Sequence, residues 1–338
     1  MKAVVLQGPG EFRLLEAAPP GEPGEGQALV RVRRIGICGT DLHAFDGSQP
    51  FLDYPRILGH ELGVEVVAVG ENALGLRPGD ACVVEPYFSC GHCIACRRGK
   101  TNCCTDMQVL GVHMDGGMQE YILLPASSLL KSATLTFEQL ALVETLSIGA
   151  HALAQAGLQP QEPILVVGAG PIGMSIIASA RAAGHEVSVL EPNPIRVEFC
   201  RRHLGVRTFV DPCAEPISGL KAALGGDLPT AIFDATGNRR SMMSTFKYAA
   251  HGAKLVFVGF SFGEISFDNP EFHRRELTLI GSRNATRADL RRCISLLEQG
   301  KIDTAPWITH RLTLEQLPGA FPRLLDPASG VIKALVAA

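Results

Sequence analysis

The chain has 338 residues, of which 46% are hydrophobic and 19% charged, with a formal net charge of −3. This length exceeds what one hydrophobic core usually serves, so we expect two domains. The slightly negative charge offers no basic field to nucleic acid or to an anionic membrane, and we expect neither partner. Because no uncharged apolar run reaches membrane-spanning length and no signal-peptide pattern is present, we expect a soluble cytoplasmic protein.

The first part of the chain reads as short strands separated by turns. Examples are residues 28–32, 63–70 and 81–84, the last of which follows a Pro78-Gly79-Asp80 turn. Apolar and β-branched runs bounded by glycine and proline are typical of strands. The pattern predicts a β-barrel-type domain.

A cysteine-rich loop interrupts this part. Its thiols are spaced three, three and eight residues apart, and two-residue gaps let consecutive sulfurs face one tetrahedral ion. Zinc is the expected metal, with unpaired thiols or two disulfides as the alternatives. The ligand candidates are Cys90, Cys93, Cys96 and Cys104. The other cysteines show no pairing pattern: Cys38, Cys82, Cys103, Cys200, Cys213 and Cys293.

From residue 137 a helical stretch runs to 158, and alternating apolar strands and helices follow. Six such strands with intervening helices predict a doubly wound parallel sheet. An amphipathic helix at 287–299 and an apolar strand at 331–336 end the chain, and we expect them to fold back onto the first domain. The six strand candidates are 164–167, 187–190, 209–210, 231–234, 255–258 and 277–280.

A glycine-rich turn follows the first of these strands. Gly168 suits a tight turn, Gly170 lets the backbone approach a pyrophosphate at a helix N-terminus, and Gly173 allows close helix packing. Glu191 ends the next strand, where a carboxylate can accept hydrogen bonds from ribose hydroxyls and repel a 2′-phosphate, so NAD is favoured over NADP. The alternative is a glycine-rich turn that binds no nucleotide. Arg196 either stacks on adenine or is a surface charge.

Two further metal-ligand candidates precede the cysteine loop. Cys38 lies in the sequence GICGTDLH and His60 in GHELGVEVVAVG. With these motifs and the four-cysteine lobe, the whole chain resembles the zinc-containing medium-chain alcohol and polyol dehydrogenases, in particular the sorbitol dehydrogenase-like branch. The resemblance implies an α/β fold with a GroES-like β-barrel catalytic domain and a Rossmann domain. The expected boundaries are 1–150 with 287–338 for the catalytic domain, whose zinc lobe is 90–104, and 151–286 for the Rossmann domain.

The resemblance also implies two zinc ions per chain, one structural in the cysteine lobe and one catalytic. The catalytic zinc would be bound by Cys38 and His60, with Glu61 as an acid that coordinates or exchanges with water. Glu144 matches a glutamate that polyol dehydrogenases place near the metal, although Thr145 stands where that branch usually has proline. A capping or solvated acid is the alternative for Glu144, and a neighbouring but non-ligating acid is the alternative for Glu61.

In this family a hydroxyl beside zinc becomes acidic, and its carbon then transfers hydride to the nicotinamide. Thr40 and His43 match the family's proton relay, the alternatives being a turn residue and a surface histidine. The resemblance assigns the following residues to the cofactor, besides Gly168, Gly170, Gly173, Glu191 and Arg196: Pro171, Ile172, Thr236, Gly237, Val258, Gly259 and Ser282.

Several segments resemble the branch that contains bacterial L-gulonate and L-galactonate 5-dehydrogenases. There Arg283 would reach the substrate and could pair with a hexonate carboxylate, or else brace the cofactor loop. His113 and Glu144 could bind substrate hydroxyls, though His113 also reads as a loop residue. The segments that carry this resemblance are 101–104, 111–118, 269–273 and 281–286.

The sequence therefore predicts an NAD- and zinc-dependent oxidation of a secondary hydroxyl on a sugar acid or polyol to a ketone. A neutral polyol or threonine is the alternative substrate. From another class, the alternative is an inactive zinc-stabilised NAD-binding protein. Relatives form dimers or tetramers by joining edge strands, so a homo-oligomer is expected.

Overall fold

The computed structural model describes the backbone of residues 1–338 and every side chain except that of Pro327. The chain divides into two compact units. Unit 1 contains Met1–Glu144 and Thr286–Ala338, and unit 2 contains Thr145–Ala285. Unit 1 is thus built from both ends of the chain, whereas unit 2 is one continuous segment.

The part of the chain before residue 157 forms ten strands and three α-helices. The strands are β1 (Lys2–Gly8), β2 (Glu11–Glu16), β3 (Gln27–Gly36), β4 (Arg56–Ile57), β5 (Glu61–Val69), β6 (Ala81–Val84), β7 (Tyr87–Phe88), β8 (Gln108–Val109), β9 (Tyr121–Pro125) and β10 (Leu129–Lys131). The helices are α1 (Gly39–Asp46), α2 (Ile94–Arg97) and α3 (Phe137–Ala156).

The middle of the chain alternates strands with helices. The strands are β11 (Ile164–Val167), β12 (Val187–Leu190), β13 (Thr208–Val210), β14 (Ala231–Asp234), β15 (Lys254–Phe257) and β16 (Thr278–Gly281). The helices are α4 (Pro171–Ala182), α5 (Pro194–His203), α6 (Pro216–Ala223), α7 (Arg239–Tyr248) and α8 (Asn269–Arg274). The chain ends with α9 (Arg287–Glu298), β17 (Ile308–Thr313), α10 (Leu317–Leu324) and β18 (Lys333–Ala337).

A seven-stranded sheet forms the centre of unit 1. Its order is β10-β6-β5-β3-β18-β17, and β9 also pairs with β3. Alternate residues of β3, such as Ala28, Val30 and Val32, are buried in the core, as expected for a strand with one face on the interior. The pairing of β3 with β5 places Gly36 opposite Glu61, and β18 pairs with the same end of β3. The N-terminal and C-terminal segments of unit 1 therefore lie side by side next to Glu61.

Unit 2 contains a six-stranded, wholly parallel sheet of order β13-β12-β11-β14-β15-β16. Strands β11, β12 and β14 are buried along their whole length, which explains their mainly apolar sequences. The order reverses between β11 and β14, and in such sheets ligands bind beyond the carboxyl ends at this point. The predicted α/β class, with a GroES-like β-domain and a Rossmann sheet, is confirmed.

The strand predictions differ from the structure mainly at the ends of elements. The last strand covers Lys333–Ala337 instead of 331–336, and β15 and β16 are each shifted by a residue from the predicted ranges. Strand β17 and helix α10 had no counterpart in the prediction. Pro322 lies inside α10 and obscures its helical pattern, because proline normally disfavours a helix interior. Among the described helices, none is long and apolar enough to cross a membrane.

Candidate active site and cofactor site

The cysteine loop gathers four thiols into a small cluster. The Sγ atoms of Cys90, Cys93, Cys96 and Cys104 all lie within 4.8 Å of one another. Tetrahedral zinc with Zn–S bonds of about 2.3 Å requires sulfurs about 3.8 Å apart, so the cluster fits this ion. Cys103 is exposed and lies outside the cluster.

Backbone amides point at these sulfurs. The amide of Cys90 lies 3.2 Å from the Cys104 sulfur, and the amide of Cys93 lies 3.4 Å from the Cys90 sulfur. Hydrogen bonds from the backbone N–H of Cys96 and of Thr105 lower the pKa of the Cys93 thiol to about 5. A thiolate is the form that binds metal, so the loop is arranged for a cation.

A second donor group lies in unit 1 at the ends of β3 and β5. It consists of Cys38, His60 and Glu61, whose ligand atoms all lie within 4.8 Å of one another. Cys38 occupies the N-cap of α1, His60 directly precedes β5, and Glu61 is the first residue of β5. Neighbouring strands thus bring together residues that are more than twenty positions apart in sequence.

Asp41 connects two of these donors. Its Oδ2 accepts a hydrogen bond from the Cys38 amide at 2.8 Å, and its Oδ1 lies 3.9 Å from His60 Nδ1. At 3.9 Å the two groups are too far apart for a hydrogen bond, so Asp41 acts on the imidazole of His60 through its charge. Asp41 is buried, and burial raises the pKa of its carboxyl group.

The electrostatics of this group favour a cation. Burial opposes a charge on His60, but Cys38, Asp41 and Glu144 together raise its pKa well above the usual 6.5. The negative field that holds a proton on His60 would equally attract a divalent ion. Sulfur, imidazole and carboxylate donors at one buried point are the ligand types that zinc prefers, so the residues fit a catalytic zinc.

Glu144 lies in α3 and is buried, but it does not belong to the group of three donors. Its Oε1 accepts a short hydrogen bond from the Tyr87 hydroxyl at the start of β7. Burial raises the pKa of both the Glu144 carboxyl and the Tyr87 hydroxyl. The role of Glu144 as a zinc ligand therefore remains a prediction, while its proximity to the charge of His60 places it at this site.

Lys333 completes the charged cluster. Its Nζ lies 2.5 Å from both carboxylate oxygens of Glu61, and the two side chains are 2% and 1% exposed. Gly36 makes room for this pair, because a Cβ at that position would lie 2.0 Å from Glu61 Oε2. Burial lowers the pKa of Lys333, but the charges of Glu61 and Cys38 outweigh it and leave the pKa raised.

The predicted relay residues share helix α1. Thr40 is half-buried and His43 is exposed, and residues three apart lie on the same face of a helix. The ring nitrogen Nδ1 of His43 lies 3.1 Å from the Ser48 hydroxyl. His113, a predicted substrate residue, is half-buried. Its Nδ1 accepts a hydrogen bond from the Val109 amide, and this bond fixes the ring against the turn that follows β8.

The glycine-rich turn after β11 has the local geometry that the sequence predicts. Gly168 has a φ of 85°, and a Cβ at Gly173 would lie 1.8 Å from the Gly168 carbonyl oxygen, so both positions require glycine. A Cβ at Gly170 would meet only Arg196, at 3.9 Å. Gly170 is the N-cap of α4, so the helix opens onto free space suited to a pyrophosphate, with Pro171, Ile172 and Gly173 in its first turn.

Glu191 is buried and accepts two backbone hydrogen bonds. The Ala169 amide donates to Oε2 at 2.6 Å and the Asn193 amide donates to Oε1 at 2.8 Å. The carboxylate is thereby fixed next to the glycine turn. Arg196 lies 3.9 Å from it and is partly exposed, which is compatible with either predicted role.

The other predicted cofactor residues follow strands β14 to β16. Thr236 donates its hydroxyl proton to Asp234 at 2.6 Å, and Gly237 and Gly259 pack so closely that a Cβ on Gly259 would lie 2.2 Å from the Gly237 nitrogen. The carboxyl ends of parallel strands lie on one edge of the sheet, so these loops line the same edge as the glycine turn. The segments concerned are Thr236–Gly237, Val258–Gly259, and Ser282 with the exposed Arg283.

Sequence reasoning missed Asp41, Tyr87 and Lys333. Lys333 carried a signal, since a lysine inside the apolar run Val-Ile-Lys-Ala-Leu-Val must be buried with a partner if the strand is internal. Asp41 stands three residues after Cys38 and forms a capping box with it, a pattern readable from the sequence. Tyr87 had no signal of its own, because only the fold brings it to Glu144.

Comparisons with known proteins agree with this description. Residues 24–134 match the family "Alcohol dehydrogenase GroES-like domain", and residues 171–299 match "Zinc-binding dehydrogenase". L-galactonate-5-dehydrogenase from Escherichia coli K12 is 40% identical over 99% of this chain and 98% of its own. Sorbitol dehydrogenase from Bacillus subtilis is 30% identical over 99% and 97%. A short chain alcohol dehydrogenase from E. coli CFT073, solved with NADH, has a TM-score of 0.92 at 30% identity, covering 100% and 99%.

Proposed function

Because the chain belongs to the zinc-binding dehydrogenase family and is an oxidoreductase acting on hydroxyl groups, we propose that it oxidises a secondary hydroxyl of a hexonate to a ketone. The similarity to L-galactonate-5-dehydrogenase, which extends over almost the entire chain, is the observation that carries this proposal. We further propose NAD as the oxidant and two zinc ions per chain.

The donor group of unit 1 supports a catalytic metal. Cys38 and His60 would hold the ion, the charge of Asp41 would act on His60, and Glu61 would be available as an exchangeable ligand. The predicted ligand Glu144 would contact substrate hydroxyls or the ion from α3. Bound zinc would supply Lewis acidity that lowers the pKa of a neighbouring hydroxyl, and NAD would supply the hydride acceptor.

Thr40 and His43 would carry the released proton. Thr40 stands two residues after Cys38 and is half-buried, whereas His43 lies on the same face of α1 and is exposed. Together they would pass a proton from the donor group to solvent. Imidazole is suited to the last step because it can both accept and donate a proton.

We propose that Glu191 makes the protein selective for NAD over NADP. A fixed carboxylate beside the glycine turn repels a 2′-phosphate and can accept hydrogen bonds from the ribose hydroxyls. Glu191→Gln removes the charge and retains an acceptor for only one of the two backbone N–H groups, because the amide nitrogen cannot accept a hydrogen bond. We expect it to reduce the preference for NAD over NADP, measured as the ratio of kcat/KM values.

Arg283 is the proposed contact for the substrate carboxylate. A guanidinium can pair with a carboxylate through two parallel hydrogen bonds, and a neutral polyol lacks that partner. Arg283→Ala should therefore weaken hexonate oxidation more than sorbitol oxidation, and Arg274→Ala, an exposed arginine that pairs with Glu271, is the matched control. Equal losses on both substrates would contradict the carboxylate contact.

NADH formation across L-galactonate, L-gulonate, sorbitol and L-threonine tests the substrate. Sorbitol is the second candidate, because the B. subtilis relative is a sorbitol dehydrogenase. Metal analysis of the purified protein should find two zinc ions per chain. One zinc ion, together with no NADH on any substrate, would disprove the proposed reaction.

Assembly and location are also proposals. Strand β16 is the edge of the parallel sheet and exposes Leu279, so pairing with the same strand of a second copy would form a dimer. Light scattering of a β16 variant, Leu279→Lys, tests this. Reduced thiols are needed for the proposed zinc lobe, which favours the cytoplasm.

A further inference from the structure

Asp234 is a buried carboxylate that the proposed reaction does not use. It ends β14 and is 1% exposed. Other buried carboxylates of this chain lie near a cationic group, as Asp41 does with His60 and Glu191 with Arg196. Among the described residues, no lysine, arginine or histidine forms an ion pair with Asp234. A buried charge without a counter-charge is costly, so its presence needs a reason.

Hydrogen bonds stabilise this carboxylate in place of a cation. Its Oδ1 accepts from the amide of Thr236 at 2.9 Å and from the hydroxyl of the same residue at 2.6 Å. Its Oδ2 accepts from the Ser241 hydroxyl at 2.8 Å. Burial raises the pKa of Asp234, and these three bonds oppose the rise. Donors aimed at both oxygens favour the ionised form, so the site is built for a negative charge.

The position of this charge in the sheet relates it to the cofactor. A sheet of this kind has two halves, and a dinucleotide binds across the crevice between them. Glu191, the proposed ribose contact, follows β12 in one half, whereas β14 to β16 form the other half, which serves the nicotinamide. The carbonyl oxygen of Asp234 also accepts hydrogen bonds from the amides of Val258 and Gly259, at 2.9 and 3.1 Å. Asp234 is thus bonded to two of the loops that are predicted to contact the cofactor.

The oxidised and reduced cofactors differ in charge at the nicotinamide ring, which is a cation in NAD and neutral in NADH. Resting on the proposed use of NAD, we infer that Asp234 supplies a counter-charge for the oxidised ring and so determines which oxidation state of the cofactor the protein prefers. It acts through its charge, across a buried region where charges are weakly screened. This preference would favour loading with NAD before a hydroxyl is oxidised.

Asp234→Asn separates the charge from the hydrogen bonds. The amide oxygen can keep both bonds from Thr236, and the amide nitrogen can donate to the Ser241 hydroxyl, which is able to accept. The variant therefore loses the charge and retains its three partners. Isothermal titration calorimetry of the substrate-free holoenzyme with NAD and with NADH gives the two Kd values, and this readout does not depend on turnover.

We expect the ratio of the Kd for NAD to the Kd for NADH to rise about fivefold in Asp234→Asn, mainly through weaker binding of NAD. Asp234→Glu keeps the charge and should keep the wild-type ratio, even where its longer side chain weakens both cofactors. Asp211→Asn is the matched control. Asp211 follows β13 and accepts the Cys213 amide at 2.8 Å, but it is exposed and its charge is screened, so the ratio should not change.

Ser241→Ala tests the purely structural alternative, because it removes one hydrogen bond and leaves the carboxylate. It should keep the wild-type ratio. An Asp234→Asn protein with the wild-type ratio overturns the inference, since the charge then has no effect on the cofactor. A rise in Ser241→Ala as large as that in Asp234→Asn overturns it too, because the hydrogen bonds would then set the ratio. Should Asp234→Asn not fold, Asp234→Ser also lacks the charge and must show the same rise.

These titrations contain no substrate, so their outcome can be separated from that of the proposed reaction. A raised ratio together with a negative substrate panel would reject the hexonate proposal and keep the role of Asp234. An unchanged ratio together with NADH formation would reject only the role of Asp234. A wild-type protein that binds neither NAD nor NADH would reject both.

Discussion

At residue 36 the lack of a side chain allows the carboxylate of Glu61 to lie against the backbone of β3. An alanine Cβ would lie 2.0 Å from Glu61 Oε2 and 3.0 Å from Glu61 Cβ, so Gly36→Ala must displace the acid. A displacement of about 1 Å can cost about 100-fold in rate, and we expect a loss of this order in kcat/KM. Gly21→Ala, at a glycine with open space around it, is the control, and unchanged kinetics in Gly36→Ala would contradict the placement of Glu61.

Burial divides the cysteines outside the two metal groups into inert and reactive ones. It raises the pKa of Cys82, Cys200 and Cys293 to about 12, whereas Cys103 and Cys213 are exposed. The thiolate is the reactive form, so at about pH 8 the buried thiols carry almost none of it. Iodoacetamide labelling followed by mass spectrometry of the native protein should therefore modify Cys103 and Cys213 first. Rapid labelling of Cys82 would show that the core of unit 1 opens.

Individual site residues differ in how far the sequence could identify them. The donors Cys38, His60 and Glu61 lie in short motifs, and the structure brings their ligand atoms together. Lys333 and Glu61 are 272 positions apart, and no local pattern pairs them. Their contact depends on β18 pairing with β3 at Gly36, which is a property of the whole sheet. The same limit applies to Tyr87 and Glu144.

At the scale of elements, the cysteine lobe depends on its metal. Helix α2 has four residues and none of them is buried, so this helix adds no hydrophobic core to the loop, and we expect the ion to hold it in place. Removing zinc should expose the thiols to alkylation. If the zinc-free loop keeps the hydrogen bonds from the backbone N–H of Cys96 and of Thr105, which lower the pKa of Cys93 to about 5, Cys93 should react before Cys96 at about pH 7. Equal labelling of the two, resolved by mass spectrometry, would contradict this order.

Arg287, the first residue of α9, connects this helix to residues of the N-terminal segment of unit 1. Its guanidinium donates to Glu85 at 2.7 Å and to the carbonyl oxygens of Ser127 and Leu129 at 2.7 and 2.9 Å. Losing such charge-assisted bonds and leaving the half-buried Glu85 unpaired should reduce the free energy of unfolding by about 2–4 kcal/mol in Arg287→Met.

Urea unfolding followed by tryptophan fluorescence measures that loss, because the single tryptophan, Trp307, is buried in unit 1. Arg311→Met is the comparison. Arg311 pairs with Glu138 but is 57% exposed, and such surface pairs contribute about 0–1 kcal/mol. Equal effects of the two substitutions would show that Arg287 is no more than a surface contact.

Elements were predictable where one physical signal dominated. The inner strands β11, β12 and β14 of the parallel sheet are buried along their length, so mainly apolar runs revealed them with the observed bounds. Strand β17 has one buried residue, Ile308, followed by exposed and half-buried residues in alternation, and α10 contains Pro322, so neither gave a clear pattern. The two-residue strands β4, β7 and β8 exist only through their partners.

At the scale of the molecule, unit 1 is formed by two separate segments of the chain, and the segment between them forms unit 2. The central sheet of unit 1 is complete only when β18 inserts between β3 and β17, and Ala334, Leu335 and Val336 then enter the core. Unit 2 is continuous and needs no later segment for its sheet. The sheet of unit 1 therefore depends on the C-terminal segment, and the sheet of unit 2 does not.

A chain that stops after Gly330 tests this dependence. This chain lacks β18, so β17 has no strand to pair with and Glu61 has no Lys333 to pair with. We therefore expect that unit 1 does not reach its native state. Trp307 emission should then shift to that of an exposed indole, while circular dichroism should retain a contribution from unit 2. A chain ending at Ala337 keeps all of β18 and should match wild type. If the shorter chain kept the native emission, the C-terminal strand would be dispensable for unit 1, and the contact between Lys333 and Glu61 could not be required for its folding.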